Sequence, residues 1–246
     1  MSEGTTILSD ALAEYRGKCM RDEWETKALG AVYDTSEYAW EASKLYIDRF
    51  GEKRGREALL VGMNPGPWGM AQTGVPFGDV VAVRDWMGIT AEVGTPAQEV
   101  PKRKIVGFAL ERREGSGKRL WGWAEQTYGT PEAFFETFFV WNYCPLLFLD
   151  TTNNRNRTPD KLFKADRDAI YPTCDAMLRL IAEHIQPKWI LGVGKFGEAR
   201  AREVFAPDEY QIGSILHPSP ASPKANKGWA PQAEAELDAL GVAWRP

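Results

Sequence analysis

The sequence predicts an α/β fold, a single-domain three-layer sandwich with a central, mostly parallel four-stranded sheet and helices on both faces. Three observations predict it. Four short apolar runs recur along the chain, each ending in glycine or a polar residue. Stretches with apolar residues at roughly helical spacing separate them. Neither an internal repeat nor a Gly/Ser linker divides the 246 residues, so one domain over 1–246 is the economical reading. Strands that alternate with helices imply parallel pairing with helices laid over the sheet.

Residues 5–16 and 36–50 read as helices, the second with Tyr38, Trp40, Leu45, Tyr46 and Phe50 among its apolar positions. The first apolar run, 58–63, opens into a loop crowded with glycine and proline, and 80–89 reads as a short helix after it. Pro131, with φ pre-set for a first helical turn, opens a helix over 131–136. The second run, 138–141, breaks at Asn142-Tyr143-Cys144-Pro145. Helical spacing over 159–185 stops at Pro187. The third run, 189–193, meets Gly194-Lys195 and a helix to about 205, and the fourth, 211–216, ends in His217-Pro218. A helix over 232–240 closes the chain. In parallel sheets of this kind ligands sit at the carboxyl ends of the strands. Asn64, Asn142 and His217 all fall there.

Composition excludes several classes. Hydrophobic residues at 43% and charged residues at 26% fit a soluble globular protein. No apolar run approaches the roughly 20 residues of a membrane span. The segment Met1-Ser2-Glu3-Gly4 lacks the basic and apolar regions of a signal peptide. Cys19, Cys144 and Cys174 lie far apart in sequence and form no Cys-x-x-Cys pair, which argues against a disulfide framework, a zinc knuckle or an iron–sulfur site. The expectation is a metal-free protein without a cofactor, in a bacterial cytoplasm and nucleoid or in a eukaryotic nucleus.

The net charge of −4 argues mildly against non-specific coating of nucleic acid. Its distribution says something different. Residues 102–119 carry Lys102, Arg103, Lys104, Arg112, Arg113, Lys118 and Arg119 against Glu111 and Glu114. Residues 153–167 carry Arg155, Arg157, Lys161, Lys164 and Arg167 against Asp160 and Asp166. Residues 217–229 hold Lys224 and Lys227 and no acid. Each run alone is a solvated face. Together they form a footprint for a polyanion, provided the fold gathers them.

Asn64 stands in Gly62-Met63-Asn64-Pro65-Gly66-Pro67, which is also a good turn sequence, since proline fixes φ and glycine supplies φ > 0. The loop carries neither Gly-x-Gly-x-x-Gly nor a P-loop pattern, and its prolines remove donors that a phosphate cradle needs. Phe77 reads as a core anchor or as a stacking platform for a planar ring. Asn142 can turn the chain, or offer one acceptor and two donors to the edge of a pyrimidine. His184 sits in the last turn of a helix, where the dipole explains it. His217 instead starts a stiff basic loop with three prolines, and pattern alone leaves it between structural and catalytic roles.

The stretches Gly-Met-Asn-Pro-Gly-Pro-Trp-Gly-Met-Ala-Gln-Thr-Gly-Val-Pro-Phe-Gly at 62–78 and His-Pro-Ser-Pro…Asn-Lys-Gly-Trp at 217–229 resemble the single-strand-selective monofunctional uracil-DNA glycosylases, a branch of the uracil-DNA glycosylase superfamily. Residues 115–122 and 139–146 are similar to it as well, so the resemblance runs from about residue 30 to the C-terminus. It implies hydrolysis of the N-glycosidic bond of uracil in single- or double-stranded DNA, leaving an abasic site without strand cleavage. Glycosylases flip the target nucleotide into a pocket. By this resemblance Asn64 positions the attacking water, Phe77 stacks on uracil, Asn142 pairs with its Watson–Crick edge, and His217 hydrogen-bonds the carbonyl on which charge develops. Met63, Gly66 and Met70 complete the base pocket, and Ser219, Pro220, Ala221, Ser222, Lys224 and Lys227 face DNA. The partner is DNA alone, bound by a monomer, with no membrane.

Two details refine the expectation. Branches strict for uracil place a tyrosine where this chain has Gly66, so 5-substituted uracils such as 5-hydroxymethyluracil, or other deaminated bases such as xanthine, should be tolerated. Ala221 and Ser222 stand where the family commonly carries an arginine and a polar residue as the wedge, which points to single-stranded or mispaired uracil. The rival within the superfamily is the mismatch-specific uracil/thymine glycosylases, whose first motif also holds Asn-Pro-Gly. Met63 and the 72–78 tail favour the first branch. The rival from another class is a non-catalytic binder of damaged DNA.

Overall fold

The computed structural model describes residues 7–246; the tetrapeptide Met1–Gly4 and the start of the first predicted helix lie outside them. In chain order the elements are α1 (Ile7–Ala13), β1 (Leu29–Asp34), α2 (Thr35–Tyr38), α3 (Trp40–Phe50), β2 (Ala58–Gly62), α4 (Met70–Thr73), α5 (Gly115–Tyr128), α6 (Pro131–Thr137), β3 (Phe138–Asn142) and β4 (Leu146–Asp150). Then follow β5 (Asn156–Arg157), α7 (Lys164–Ile185), β6 (Trp189–Val193), α8 (Lys195–Val204), β7 (Gln211–Ile215) and α9 (Trp229–Leu240). The central sheet has the order β3-β2-β6-β7, and every neighbouring pair is parallel. Helices pack around it. All five residues of β2 and of β3 are buried, which is why both read as unbroken apolar runs and not as alternating ones.

Aromatic rings lock the helices on. The Tyr46 hydroxyl of α3 donates to the Val140 carbonyl of β3 at 2.8 Å, and its ring stacks on Phe139 at 5.3 Å. Phe50 of α3 and Phe135 of α6 stack at 4.0 Å. Burying rings of this size is the largest apolar contribution available to these layers.

Several features depart from the sequence reading. A second, antiparallel sheet of order β1-β4-β5 stands beside the central one. β1 has no sequence neighbour to pair with; its partner β4 lies on the far side of the central strands β2 and β3. The glycine-rich stretch 115–122 is the start of α5, although glycine disfavours helix. Gly117 has a packing reason: a Cβ there would sit 1.9 Å from the Phe77 carbonyl. The segment 80–89 narrows to a π-helical turn over Ala82–Trp86. The helix read over 159–185 starts at Lys164 after a 3-10 turn at Pro159–Lys161, and the last helix starts earlier than 232, at Trp229.

The three cysteines, dispersed in sequence, meet in the core. The Cys19 and Cys174 sulfurs are 3.7 Å apart, and hydrogen bonding with Cys144 and Cys19 pushes the Cys174 thiol well above its usual range. All three are free. Among the described residues no helix is long and apolar enough to cross a membrane.

Candidate active site

The strand ends build the site. Gly62 and Asn142, last residues of β2 and β3, lie side by side in register. The chain leaves β2 into the 62–78 loop, and leaves β7 at Ile215 to reach His217 two residues later. Gly194, at the end of β6, leaves room for the His217 side chain, since a Cβ there would stand 3.2 Å from that of His217. Between these ends opens a cavity of about 270 Å³, lined by Met63, Asn64, Gly66, Met70, Phe77, Asn142, His217 and Ser219. Every residue assigned from the sequence to catalysis or base binding lines this one cavity.

Asn64 is held in one orientation. Its amide nitrogen donates to the Leu146 carbonyl at 3.0 Å and to Asn156 Oδ1 at 3.1 Å. A backbone carbonyl can only accept, so the nitrogen must face Leu146 and both its hydrogens are spent. Oδ1 is left to accept a hydrogen bond, its contact with Asn156 Nδ2 being 3.5 Å. Asn156 is itself fixed, because its nitrogen donates to the Pro65 carbonyl at 3.2 Å. An amide so placed can orient a water but cannot take its proton.

His217 is equally defined. Nδ1 accepts a hydrogen bond from the Ser219 backbone N–H at 3.0 Å, so the neutral ring carries its proton on Nε2. Burial holds the imidazole down at about 4, so it is uncharged at neutral pH. The Phe77 ring lies 5.7 Å from the His217 ring. Phe77 adopts φ +53°, a left-handed conformation that costs a non-glycine residue about 1–2 kcal/mol. Its carbonyl is pinned by Trp121 Nε1 at 3.1 Å and by the Asp79 N–H at 2.8 Å. Strain held in place this way points to a ring whose direction matters.

Phe77 and Asn142 converge over Gly62. A Cβ on Gly62 would meet Asn142 Oδ1 at 2.1 Å and the Phe77 ring at 2.6 Å. The Asn142 nitrogen faces the Met70 sulfur at 3.1 Å, while Oδ1 is buried without a hydrogen-bond partner. A buried acceptor left unpaired costs about 1–3 kcal/mol, which a bound donor would recover. Gly66 is open, with nothing within 4 Å of a Cβ built there.

Sequence reasoning missed five lining residues: Gly69, Glu114, Ser116, Asn156 and Thr158. Glu114 caps α5 by accepting from the Gly117 N–H, and burial pushes its carboxyl up. Asn156 was hidden in a segment read only for charge. Its excess of amides, Asn153, Asn154 and Asn156 within four residues, was the available signal.

The post-histidine loop is stiff, as its prolines predict. Ser222 N–H donates to the Ser219 carbonyl at 2.9 Å, and Asn226 Nδ2 to the Pro220 carbonyl at 2.9 Å. Pro220 packs on Gly115, where a Cβ would lie 2.4 Å from its ring. Ala221, Lys224 and Lys227 are exposed, and Ser222 is half-buried. The fold also gathers the basic segments. Arg119 of α5 donates to the Pro218 and Ser219 carbonyls at 3.1 and 3.2 Å and to Asn226 at 2.7 Å, tying the first segment to the third. Arg103 donates to the Asn154 carbonyl at 2.8 Å, tying the first to the second.

Comparison with known proteins places the chain in a family. The chain is 44% identical over 219 residues to the single-strand selective monofunctional uracil DNA glycosylase of Bos taurus, covering 88% of this chain and 80% of that protein. It belongs to the single-strand-selective monofunctional uracil-DNA glycosylase family. The Rattus norvegicus protein of the same name is 44% identical over 216 residues, covering 87% of this chain and 77% of that one. The crystal structure of Pedobacter heparinus SMUG2 shares the fold, with a TM-score of 0.66 at 17% identity over 95% of this chain and 97% of that one. No family model matches the chain. At the cavity, the hydrogen bonding of Asn64 leaves a defined acceptor and that of His217 a defined donor, beside the unpaired acceptor of Asn142.

Proposed function

We propose that this chain is a monofunctional glycosylase that hydrolyses the N-glycosidic bond of uracil in DNA, using Asn64 and His217. The observation that supports this most is the pairing of a fixed amide acceptor with a neutral imidazole donor on one cavity. In the reaction the C1′–N1 bond breaks with its electron pair going to the base, through an oxocarbenium-like state. His217 Nε2–H donates to the base carbonyl on which that charge collects. A neutral donor does so without giving up its proton, and the preformed hydrogen bond at Nδ1 means that the ring need not reorient. Asn64 Oδ1 accepts from the water whose oxygen bonds C1′, and the proton that water sheds leaves to solvent. Phe77 stacks on the base, and Asn142 Oδ1 accepts from its ring N–H.

Among the described residues no lysine lines the cavity, which supports base release without a Schiff base and hence an abasic site in an uncut strand. The open wall at Gly66 supports acceptance of a 5-substituent. The small side chains of Ala221 and Ser222 support a preference for single-stranded or mispaired uracil, because a small wedge fills the gap of a flipped base poorly. Base release from uracil, 5-hydroxymethyluracil, xanthine and thymine, each in single and paired strands, tests this. Uracil and 5-hydroxymethyluracil should leave fastest, and single strands should outpace an A·U duplex. Activity confined to plain uracil would refute the open wall, and faster turnover of the A·U duplex would refute the strand preference.

A further inference from the structure

The basic segments divide into two sets that the sequence could not separate. Arg103, Arg119 and Arg167 spend their guanidinium groups on backbone carbonyls, while Arg113 and Arg157 pair with Asp79 and Asp150. Lys102, Lys104, Arg112 and Arg155 make no side-chain hydrogen bond or ion pair among the described residues, and all four are exposed. Of the second set, Arg112 stands at Trp68. Trp68 is half-buried between Gly66 and Gly69, both of which line the cavity. The Arg112 guanidinium sits 4.5 Å from the Trp68 ring centroid and that of Arg103 5.1 Å from it. Arg103 is locked at Asn154, whereas Arg112 keeps its N–H donors unspent beside the ring. Of the acids in these segments, Asp150 is neutralised by Arg157, while Glu99 keeps its charge and accepts from the Ile105 N–H. Glu111 stands next to Arg112 without a partner of its own.

We propose that Trp68 and Arg112 form a ledge that grips the backbone phosphates of single-stranded DNA at the mouth of the cavity, beside Gly66 and Gly69 of its lining. An aromatic face restrains a guanidinium while leaving its edge free, and a fixed fork of N–H donors suits a phosphate. The ledge adds to the cations at the His217 loop, Lys118, Lys224 and Lys227, so that a single strand crossing the mouth would meet unspent positive charge at more than one phosphate. Single strands are the commitment because they can bend over a half-buried tryptophan that a stiff duplex would ride above.

The proposal rests on DNA being the substrate, and its test is binding to a single strand that contains no uracil. The affinity of the protein for a plain oligonucleotide, followed against salt, reports the number of phosphates neutralised. Arg112→Gln should weaken binding about fivefold at 0.1 M salt and flatten the log–log slope by about 0.7, the value of one single-strand phosphate contact. Trp68→Leu should weaken binding in the parent but far less beside Arg112→Gln, because the ring acts through that guanidinium. An unmoved slope in Arg112→Gln, or additive losses in the double variant, would overturn the ledge. If the parent bound this DNA yet released no uracil from its uracil-containing counterpart, the glycosylase reading would fail while the ledge was still judged by the slope.

Discussion

Replacing His217 by alanine should lower the rate of uracil release from a single strand by roughly two to three orders of magnitude, about 3–4 kcal/mol of transition-state stabilisation. The size follows from the rest of the site. Asn64 cannot accept a proton, its side-chain partners are Leu146 and Asn156, and among the described residues the one carboxylate lining the cavity, Glu114, caps α5, while no lysine lines it. The donor to the departing base must therefore supply much of the barrier reduction. Single-turnover base release, with the circular dichroism spectrum of the variant matching the parent, checks this. The same residue sets the pH profile. Burial lowers the imidazole to about 4 in the fold, so the neutral donor persists above that pH and is lost below it. Protonation would also place a hydrogen on Nδ1, where the Ser219 N–H already donates. The rate at limiting substrate, which reports the free enzyme, should therefore stay level from pH 8 through the ordinary imidazole range near 6.5 and fall only as pH approaches 4. A fall centred on the ordinary range would mean that His217 titrates as an exposed histidine.

Gly62→Ala should have the second largest effect. One methyl group added there would lie 2.1 Å from Asn142 Oδ1 and 2.6 Å from the Phe77 ring. Neither can retreat freely. Asn142 is the buried end of β3, and Phe77 is fixed through its carbonyl by Trp121 and Asp79. The variant must push the ring or the amide off the base by about an ångström, and misplacement on that scale costs roughly a hundredfold in rate. Overpacking should remove about 1–3 kcal/mol of stability as well. Thermal unfolding beside the single-turnover rate separates the two losses. A rate near that of the parent would show that Phe77 and Asn142 do not form the base pocket.

The legible and illegible parts of this protein differ in how far their causes lie along the chain. β2 and β3 announced themselves because strands buried on both faces must be apolar throughout, and the loops after them held residues that a plain turn does not require. Asn64, Asn142 and His217 were placed at the functional edge by their position after strands alone, while their roles came from the resemblance to a family. β1 could not be read, because its reason for being a strand is β4, which lies beyond β2 and β3. α5 was obscured by glycines that propensity counts against a helix, and only the approach of the Phe77 carbonyl explains Gly117. Asn156 became visible as a partner of Asn64 once β5 paired with β4. The basic segments were visible as charge, but which arginines brace the fold and which face outward is a property of contacts.

The most direct measurement is single-turnover release of free uracil from a uracil-containing single strand by the parent and by Asn64→Ala. The parent should release uracil and leave an uncut strand that breaks only on alkaline treatment. Asn64→Ala, whose fold loses only the bonds to Leu146 and Asn156, should release it at least about a hundredfold more slowly while still binding the strand. A parent that binds the strand but releases no base, with Asn64→Ala binding identically, would contradict the account and leave a binder of damaged DNA in its place.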